Sequence, residues 1–160
     1  MKALVLWQPW ATLMAIGAKR NETRGWRWDH IGDVAICAAA KKLGNDVPED
    51  WLPVLSRMYS CRDQIIPGFC SDTRDLYYSL PFGKVVCIVN KYGCSSTNDD
   101  NSHDHSLTPM ELALGDYSAG RFYFLTRDSR RLKTPVPVTG RQGPFDLPPD
   151  VEAAVRAQIV

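Results

Sequence analysis

The sequence predicts an α+β domain built on a mixed, curved sheet or small β-barrel with peripheral helices. Three observations lead to this fold class. Apolar runs of strand length outnumber helical patterns, the two do not alternate regularly, and no internal repeat is present. Regular alternation of strands and helices would instead indicate a parallel, doubly wound sheet. The chain has 160 residues, which suits a single domain over residues 1–160 with its own core.

Composition narrows the class of protein further. The hydrophobic fraction of 44% and the charged fraction of 23% are ordinary for a globular protein. A net charge of +1 gives no overall attraction to nucleic acid, so any such binding has to come from a local patch. No apolar run is long enough to span a membrane, and the apolar N-terminal stretch is too short for a signal peptide. We therefore expect an intracellular, cytoplasmic protein.

The first part of the chain is predicted to contain two strands, with a short helix and then a strand or extended arm between them. A short apolar strand at Lys2–Leu6 precedes a helix of about two turns. That helix opens at Pro9, whose missing N–H is harmless in a first turn, and it ends at Gly17. A strand or extended arm follows at Arg20–Trp28. Asp33–Ala40 then has the composition of a buried strand.

Residues 45–80 are predicted to be an insertion. Asp46 and Glu49 have the spacing of a helix capping pair. Apolar residues at helical spacing then indicate a second amphipathic helix: Trp51, Leu55, Met58 and Tyr59. Pro67-Gly68-Phe69 interrupts this pattern, and Asp75–Leu80 predicts a further helical turn.

The second half predicts further strands around a mobile polar loop at 95–106. Strands are predicted at Gly83–Tyr92, at Arg121–Arg127 and, as an edge strand because of its two prolines, at Pro135–Thr139. Thr108 and Glu111 form a capping box that opens a short helix ending near Gly115. A last helix places three apolar residues on one face: Val151, Val155 and Ile159.

The stretch from Gly17 to Trp26 is the strongest candidate for a functional site. It holds three cations and one acid in a few positions: Lys19, Arg20, Arg24 and Glu22. The two-residue period of a strand puts Glu22, Arg24 and Trp26 on one face, and Lys19 joins them if the chain bends beside it. This combination indicates a pocket for something anionic, polar and flat. The competing interpretation is a solvated salt-bridge cluster that fixes the mouth of the barrel.

Three motifs together resemble a known family. They are Leu6-Trp7-Gln8-Pro9-Trp10-Ala11, the spacing Gly17-x-Lys19-x-x-Glu22-x-Arg24, and the strand end Ala39-Ala40-Lys41-Lys42. They resemble the ASCH domain, a member of the PUA-like superfamily of small β-barrels. Among ASCH proteins the chain looks most similar to those of phages and prophages. The resemblance implies a PUA-like mixed β-barrel with peripheral helices.

The resemblance also implies work on nucleic acids. RNA binding is the usual inference for ASCH domains, some members cleave RNA, and one bacterial branch hydrolyses the amide of N4-acetylcytidine. That branch has a lysine at the position of Lys19, but a threonine where this chain has Glu22 and a glutamate where it has Asn90. We expect binding of RNA, single-stranded nucleic acid or a modified nucleoside, without a cofactor. The alternatives are a metal-independent hydrolase using Lys19 and Glu22 as an acid–base pair and an adaptor that contacts only protein.

Each predicted contact has a physical role. Arg24 can donate two parallel hydrogen bonds, Glu22 can accept from an exocyclic amine, and Trp10 or Trp26 can stack on a base. Basic side chains elsewhere would follow the phosphate backbone. The predicted interface comprises Gln8, Trp10, Lys19, Glu22, Arg24, Trp26, Lys41, Lys42, Arg127, Arg130 and Arg141. In the competing interpretation Trp10 belongs to the core and the arginines protect an edge strand.

Five cysteines raise the question of a metal site. Cys37 and Cys87 lie in apolar runs and are predicted to be core residues. The remaining thiols and two histidines could together ligate zinc: Cys61, Cys70, Cys94, His103 and His105. No closely spaced cysteine pair of the kind found in zinc sites is present, so we expect reduced thiols and no metal.

Overall fold

A computed structural model describes residues 1–44, 47–66, 68 and 70–159. The strands are β1 (Lys2–Leu6), β2 (Asn21–Arg24), β3 (Gly32–Ala38), β4 (Lys84–Ser96), β5 (Phe122–Pro137) and β6 (Phe145–Asp146). The helices are α1 (Trp10–Ala15), α2 (Leu52–Ser60), α3 (Arg62–Ile65), α4 (Thr73–Ser79), α5 (Pro109–Ala113) and α6 (Pro149–Arg156). A 3-10 turn at Glu49–Trp51 leads into α2. None of the described helices has the length and apolar content needed to cross a membrane.

The strands form one mixed sheet in the order β2-β5-β4-β3-β1-β6. β1 and β3 pair in parallel, and the other neighbours pair antiparallel. The predicted closure into a barrel is wrong, because in the described part of the chain the edge strands β2 and β6 do not pair with each other. The two edges contain only four and two residues, which leaves too short a ladder to close the sheet.

Although open, the sheet is strongly bent along its two longest strands. β4 and β5 contain 13 and 16 residues, and their pairing shifts register at three places. Such bulges bend a strand and increase its twist. One of them contains Asp128, which has a positive φ of 52°. The bend brings β2 near β1, so that Nη2 of Arg24 donates to the carbonyl of Val5 at 2.7 Å.

The core has three parts. On one face of the sheet, Leu4 and Ile36 pack with the inner side of α1. On the other face, Ala3 and Ala35 belong to a cluster that includes Val155 of α6. The helices α2, α3 and α4 form a third cluster, which packs against Leu13. The predicted insertion is therefore attached to the sheet through α1.

Several predicted elements are confirmed. β1 has the predicted bounds, and α1 ends before Gly17, whose φ of +74° is the left-handed conformation that favours glycine. The second amphipathic helix, the short helix after Thr108 and the final helix are also present. The helical turn predicted at Asp75–Leu80 is part of the longer helix α4, which ends at Ser79, so that Leu80 lies just beyond the helix in an extended conformation. Asp72 caps α4 by accepting from the Asp75 amide.

Other predicted elements differ. The arm at 20–28 is a strand only in β2, and its later part is held by Lys91, whose ammonium donates to the carbonyls of Trp28 and His30. The two strands predicted at 121–127 and 135–139 are joined in one continuous strand, β5, which begins one residue later and ends two residues earlier than predicted. Its bulges absorb the irregular sequence between the two predicted strands. β4 continues through Ser96, two residues into the predicted polar loop. The predicted capping role of Asp46 lies outside the described residues.

Candidate functional site

Lys19 lies at the centre of a buried cluster of charges. Its side chain is 1% exposed, and its ammonium donates to the carbonyls of Asn21 and Leu114. The ammonium also lies 3.8 Å from a carboxylate oxygen of Glu22 and 3.7 Å from one of Glu111. An ammonium has three N–H donors, and these four oxygens surround it. Lys19 therefore holds β2, α5 and both carboxylates together from inside the protein.

Glu111 is a site residue that the sequence did not reveal. Its amide donates to Oγ1 of Thr108 at 3.1 Å, as the capping box predicts, but its carboxylate has a different use. The carboxylate accepts from the backbone amides of Arg20 at 3.0 Å and Asn21 at 2.8 Å. Burial, followed by the negative charge of Glu111, raises the pKa of the neighbouring Tyr117 hydroxyl. No local pattern could indicate this role, because Glu111 lies some 90 residues from its partners.

Glu22 and Arg24 form the exposed part of this cluster. The alternation of β2 puts them on one face, as predicted, and Nη2 of Arg24 lies 3.0 Å from Oε1 of Glu22. The same Nη2 donates to Val5, while Nε of Arg24 is buried without a hydrogen-bond partner among the described residues. Arg24 keeps 28% of its side chain exposed and Glu22 keeps 13%. A fixed carboxylate and a fixed guanidinium thus lie side by side, and the guanidinium retains N–H groups that are not used in hydrogen bonds.

These two side chains border a cavity of about 510 Å³, which we call the Glu22 cavity. It lies between the end of β1, the edge strand β2 and the segment after α5. Its lining consists of Leu6, Trp7, Trp10, Glu22, Thr23, Arg24, Asp50, Val54, Ala113, Leu114, Gly115, Asp116 and Arg121. The open edge of the sheet therefore carries a concave site with apolar walls and several charged groups, as is usual for ligand sites.

Indole rings form one wall of the Glu22 cavity. Trp10 donates through Nε1 to the carbonyl of Leu114 at 2.9 Å, which fixes its ring. Trp10 and Trp7 both pack edge-on against Trp51, with ring centroids 4.5 and 5.9 Å away. Trp7 is 40% exposed and offers a flat aromatic surface at the rim. Trp10 packs against the core, as the competing interpretation of the sequence predicts, and it also lines the cavity. Its stacking on a base stays a prediction.

Two further predicted site residues lie away from this cavity. Gln8 is fully buried, where Nε2 donates to the Pro81 carbonyl at 2.9 Å and Oε1 accepts from the Thr12 amide at 3.1 Å. Trp26 packs against Phe124, with ring centroids 5.3 Å apart, and belongs to the periphery of the core. Neither residue lines the Glu22 cavity.

By spacing, Glu22 and Asn90 stand where the amidase branch of the resemblance has a threonine and a glutamate, and Thr23 follows one residue later. Thr23 also borders the Glu22 cavity, and its Oγ1 accepts from the amide of Asp116 at 3.1 Å. Asn90 pairs with Asp33 and Arg127 inside the sheet and does not line the cavity. A hydroxyl is therefore present at the cavity, one residue away from the position that spacing predicts.

The predicted basic residues are dispersed. Lys41 lies 5.6 Å from the ring centroid of Trp7 and so reaches the rim of the Glu22 cavity, whereas Lys42 lies 5.0 Å from the centroid of Phe82. Acidic neighbours pair with two arginines: Arg127 lies 3.6 Å from Asp128, and Arg130 lies 2.6 Å from Asp33. Arg141 is exposed. These contacts reduce the local positive charge that the sequence indicated for the arginine-rich strand.

The possible metal ligands do not converge. Cys61 is buried, while Cys70 and Cys94 are half-buried with free thiols. In the ranges that the structure covers, no three histidine, cysteine, aspartate or glutamate side chains come close enough to hold a metal ion.

No protein-family model matches the chain, and no curated protein sequence does. Solved structures do match. ASCH from Zymomonas mobilis is 13% identical, with a TM-score of 0.54 over 98% of this chain and 93% of that one. A serine-to-alanine variant of the Zymomonas protein is also 13% identical, with a TM-score of 0.54 over 98% of this chain and 94% of that one. A tyrosine-to-phenylalanine variant is 13% identical, with a TM-score of 0.52 over 98% of this chain and 96% of that one. At this identity the likeness concerns architecture alone: the chain has the mixed α+β fold of ASCH proteins.

Proposed function

We propose that the protein binds nucleic acid, with RNA as the first candidate because of the ASCH resemblance, or a modified nucleobase, through the Glu22 cavity. The observation that carries this proposal is the fixed pair of Glu22 and Arg24, 3.0 Å apart at the cavity. A carboxylate beside a guanidinium complements a base edge on which an N–H donor stands next to an acceptor. Glutamate accepts from the exocyclic amine of cytosine, and arginine donates to ring nitrogen and carbonyl acceptors.

The walls of the Glu22 cavity also suit a nucleobase. Its volume of about 510 Å³ lies within the range of small-molecule sites. Trp7 exposes an indole on which a base can stack, and stacking on aromatic side chains is a common way of holding unpaired bases. Lys41, beside the Trp7 ring, can meet a phosphate that follows the base. A relation to phage ASCH proteins and a cytoplasmic location stay predictions of the sequence.

Binding is tested by titrating the purified protein with cytidine, N4-acetylcytidine and single-stranded RNA while following tryptophan fluorescence. Loss of a charged hydrogen bond costs about 1.5–3 kcal/mol, so Arg24→Ala and Glu22→Gln are each expected to weaken binding at least about tenfold. The control is Arg156→Ala, which removes an exposed, ion-paired arginine of α6 that does not line the cavity. Equal affinity of all variants would refute the proposal.

The alternative function is hydrolysis without a metal, either of RNA or of N4-acylcytidine. It is favoured by the buried contact between Lys19 and Glu22, with the Thr23 hydroxyl at the same cavity. Its weakness is that four oxygens already surround the Lys19 ammonium. The same titrations should therefore be analysed for products with chelator present. Products that Glu22→Gln abolishes while binding persists would identify an enzyme.

A further inference from the structure

A second cavity lies apart from the first and has a different chemical character. It measures about 570 Å³ and shares no lining residue with the Glu22 cavity. We call it the Lys84 cavity. Its charged members are Lys42, Lys84 and Arg131, and no carboxylate lines it among the residues that the structure describes. Three cations around one concavity repel one another, and an anion placed between them would relieve that repulsion.

Lys84 is the least compensated of the three cations. It is half-buried at the start of β4, and in the described structure its ammonium has no hydrogen bond or ion pair. Lys42 is placed by its contact with the Phe82 ring, 5.0 Å from the centroid. Arg131 donates to the carbonyls of Gln64 and Ile65, which uses two of its five N–H donors. All three side chains therefore retain donors for an anionic ligand.

A buried hydroxyl in the wall gives a second, independent indication. Thr12 lines the Lys84 cavity and is only 3% exposed, yet its Oγ1 has no hydrogen-bond partner among the described residues. Buried polar atoms in native proteins are nearly always paired, and an exception needs an explanation. A ligand oxygen in the cavity would supply the missing partner.

The wall that carries this hydroxyl is held in place from behind. Gln8, a residue predicted from the sequence to contact ligand directly, links the amide of Thr12 to the carbonyl of Pro81. Thr12 and Pro81 both line the Lys84 cavity, whereas Gln8 does not. Gln8 therefore connects the backbones of two residues that line this second cavity.

We propose that the Lys84 cavity binds a phosphoryl group, held by the cations of Lys42, Lys84 and Arg131 and by the hydroxyl of Thr12. Phosphate matches these donors because it presents several acceptor oxygens and negative charge. The group belongs either to a free nucleotide or to the backbone of a polynucleotide. The second source rests on the proposed function, because Lys41 borders Trp7 of the Glu22 cavity while the adjacent Lys42 lines the Lys84 cavity.

The test uses inorganic pyrophosphate, which has no base, titrated calorimetrically at about 0.1 M salt, where charges are screened beyond about 10 Å. Lys84→Gln is expected to weaken binding at least about tenfold, the effect of losing one charged hydrogen bond. Thr12→Val should weaken it several-fold without lowering the thermal midpoint of the free protein, since the hydroxyl has no partner to lose. Lys133→Gln, a matched change at an exposed lysine of β5 outside the cavity, should bind like the wild type.

Failure of this proposal is distinguishable from failure of the proposed function. Arg24→Ala should leave pyrophosphate affinity unchanged, and Lys84→Gln should leave cytidine affinity unchanged. Comparing adenosine monophosphate with an oligoribonucleotide that has no terminal phosphate then identifies the source of the phosphoryl group by whichever loses more affinity in Lys84→Gln. No pyrophosphate binding by the wild type at millimolar concentration, or equal binding by wild type and Lys84→Gln, would overturn the proposal.

Discussion

Replacing Glu111 by alanine should destabilise the protein far more than its position in a five-residue helix suggests. The carboxylate is 5% exposed and accepts from the backbone amides of Arg20 and Asn21. It also lies 3.7 Å from the buried ammonium of Lys19. The substitution therefore leaves two amides without their acceptor and removes one of two carboxylates from a buried cation.

The size of the effect follows from these losses. A buried donor left unpaired costs about 1–3 kcal/mol, and breaking a buried ion pair by removing one partner costs about 3–5 kcal/mol. Since the losses overlap, we expect Glu111→Ala to lower the free energy of unfolding by about 3–5 kcal/mol. For a chain of this length that corresponds to a fall of about 6–20 °C in the thermal midpoint. Glu111→Gln keeps one acceptor oxygen and should fall between alanine and the wild type.

Urea denaturation followed by circular dichroism measures the change directly. The matched control is Glu49→Ala, because Glu49 is an exposed glutamate near the start of a helical segment and should change stability by less than about 0.5 kcal/mol. If Glu111→Ala and Glu49→Ala unfolded at the same urea concentration, the view that Glu111 anchors β2 would be wrong.

Two further predictions concern ionisation. Burial opposes ionisation of Asp104, but hydrogen bonds from Ser106 and Tyr123 outweigh it and lower the pKa of that carboxyl. Stability gained from Asp104 is thus present above its ordinary pKa of about 3.9 and lost as pH falls below it. Between about pH 4 and pH 2, the urea midpoint should therefore depend less on pH in Asp104→Asn than in the wild type. The same pH dependence in both proteins would contradict this. Burial raises the pKa of Cys37 to about 12 and that of Cys87 to about 12. Neither thiol should react with a disulfide reagent at pH 8 until urea unfolds the protein, and rapid labelling of either would contradict their placement in the core.

Local sequence patterns predicted the elements whose signal is itself local. The apolar run of β1, the glycine that ends α1 and the threonine that opens α5 each act within a few residues. The pairing of Glu22 with Arg24 also follows from the two-residue period of a strand. The first and last residues of an element were less predictable where contacts with distant parts of the chain determine them. β5 continues through an irregular stretch because its bulges keep it paired with β4.

Contacts between distant residues explain what the sequence did not reveal. A capping box indicates that the amide of Glu111 is satisfied by Thr108, and it cannot indicate that the carboxylate turns toward β2. Barrel closure failed for a similar reason, because closure depends on the length of edge strands that only the complete sheet defines. Gln8 belongs to a recognisable motif, but its two hydrogen bonds point away from the Glu22 cavity.

The open edge of the sheet explains why Lys19, Glu22 and Arg24 form a site. In a closed barrel the edge of β2 would pair with another strand, and its neighbours would be backbone groups. Here β2 is anchored instead by side chains: Glu111 accepts from its first amide, and Lys19 donates to the carbonyl of the same residue, Asn21. Glu22 and Arg24 are thereby held at a fixed separation on a strand that, among the strands the structure describes, has no neighbour on that side. A charged pair fixed in this way needs little reordering when a ligand arrives, so more of the interaction energy contributes to affinity.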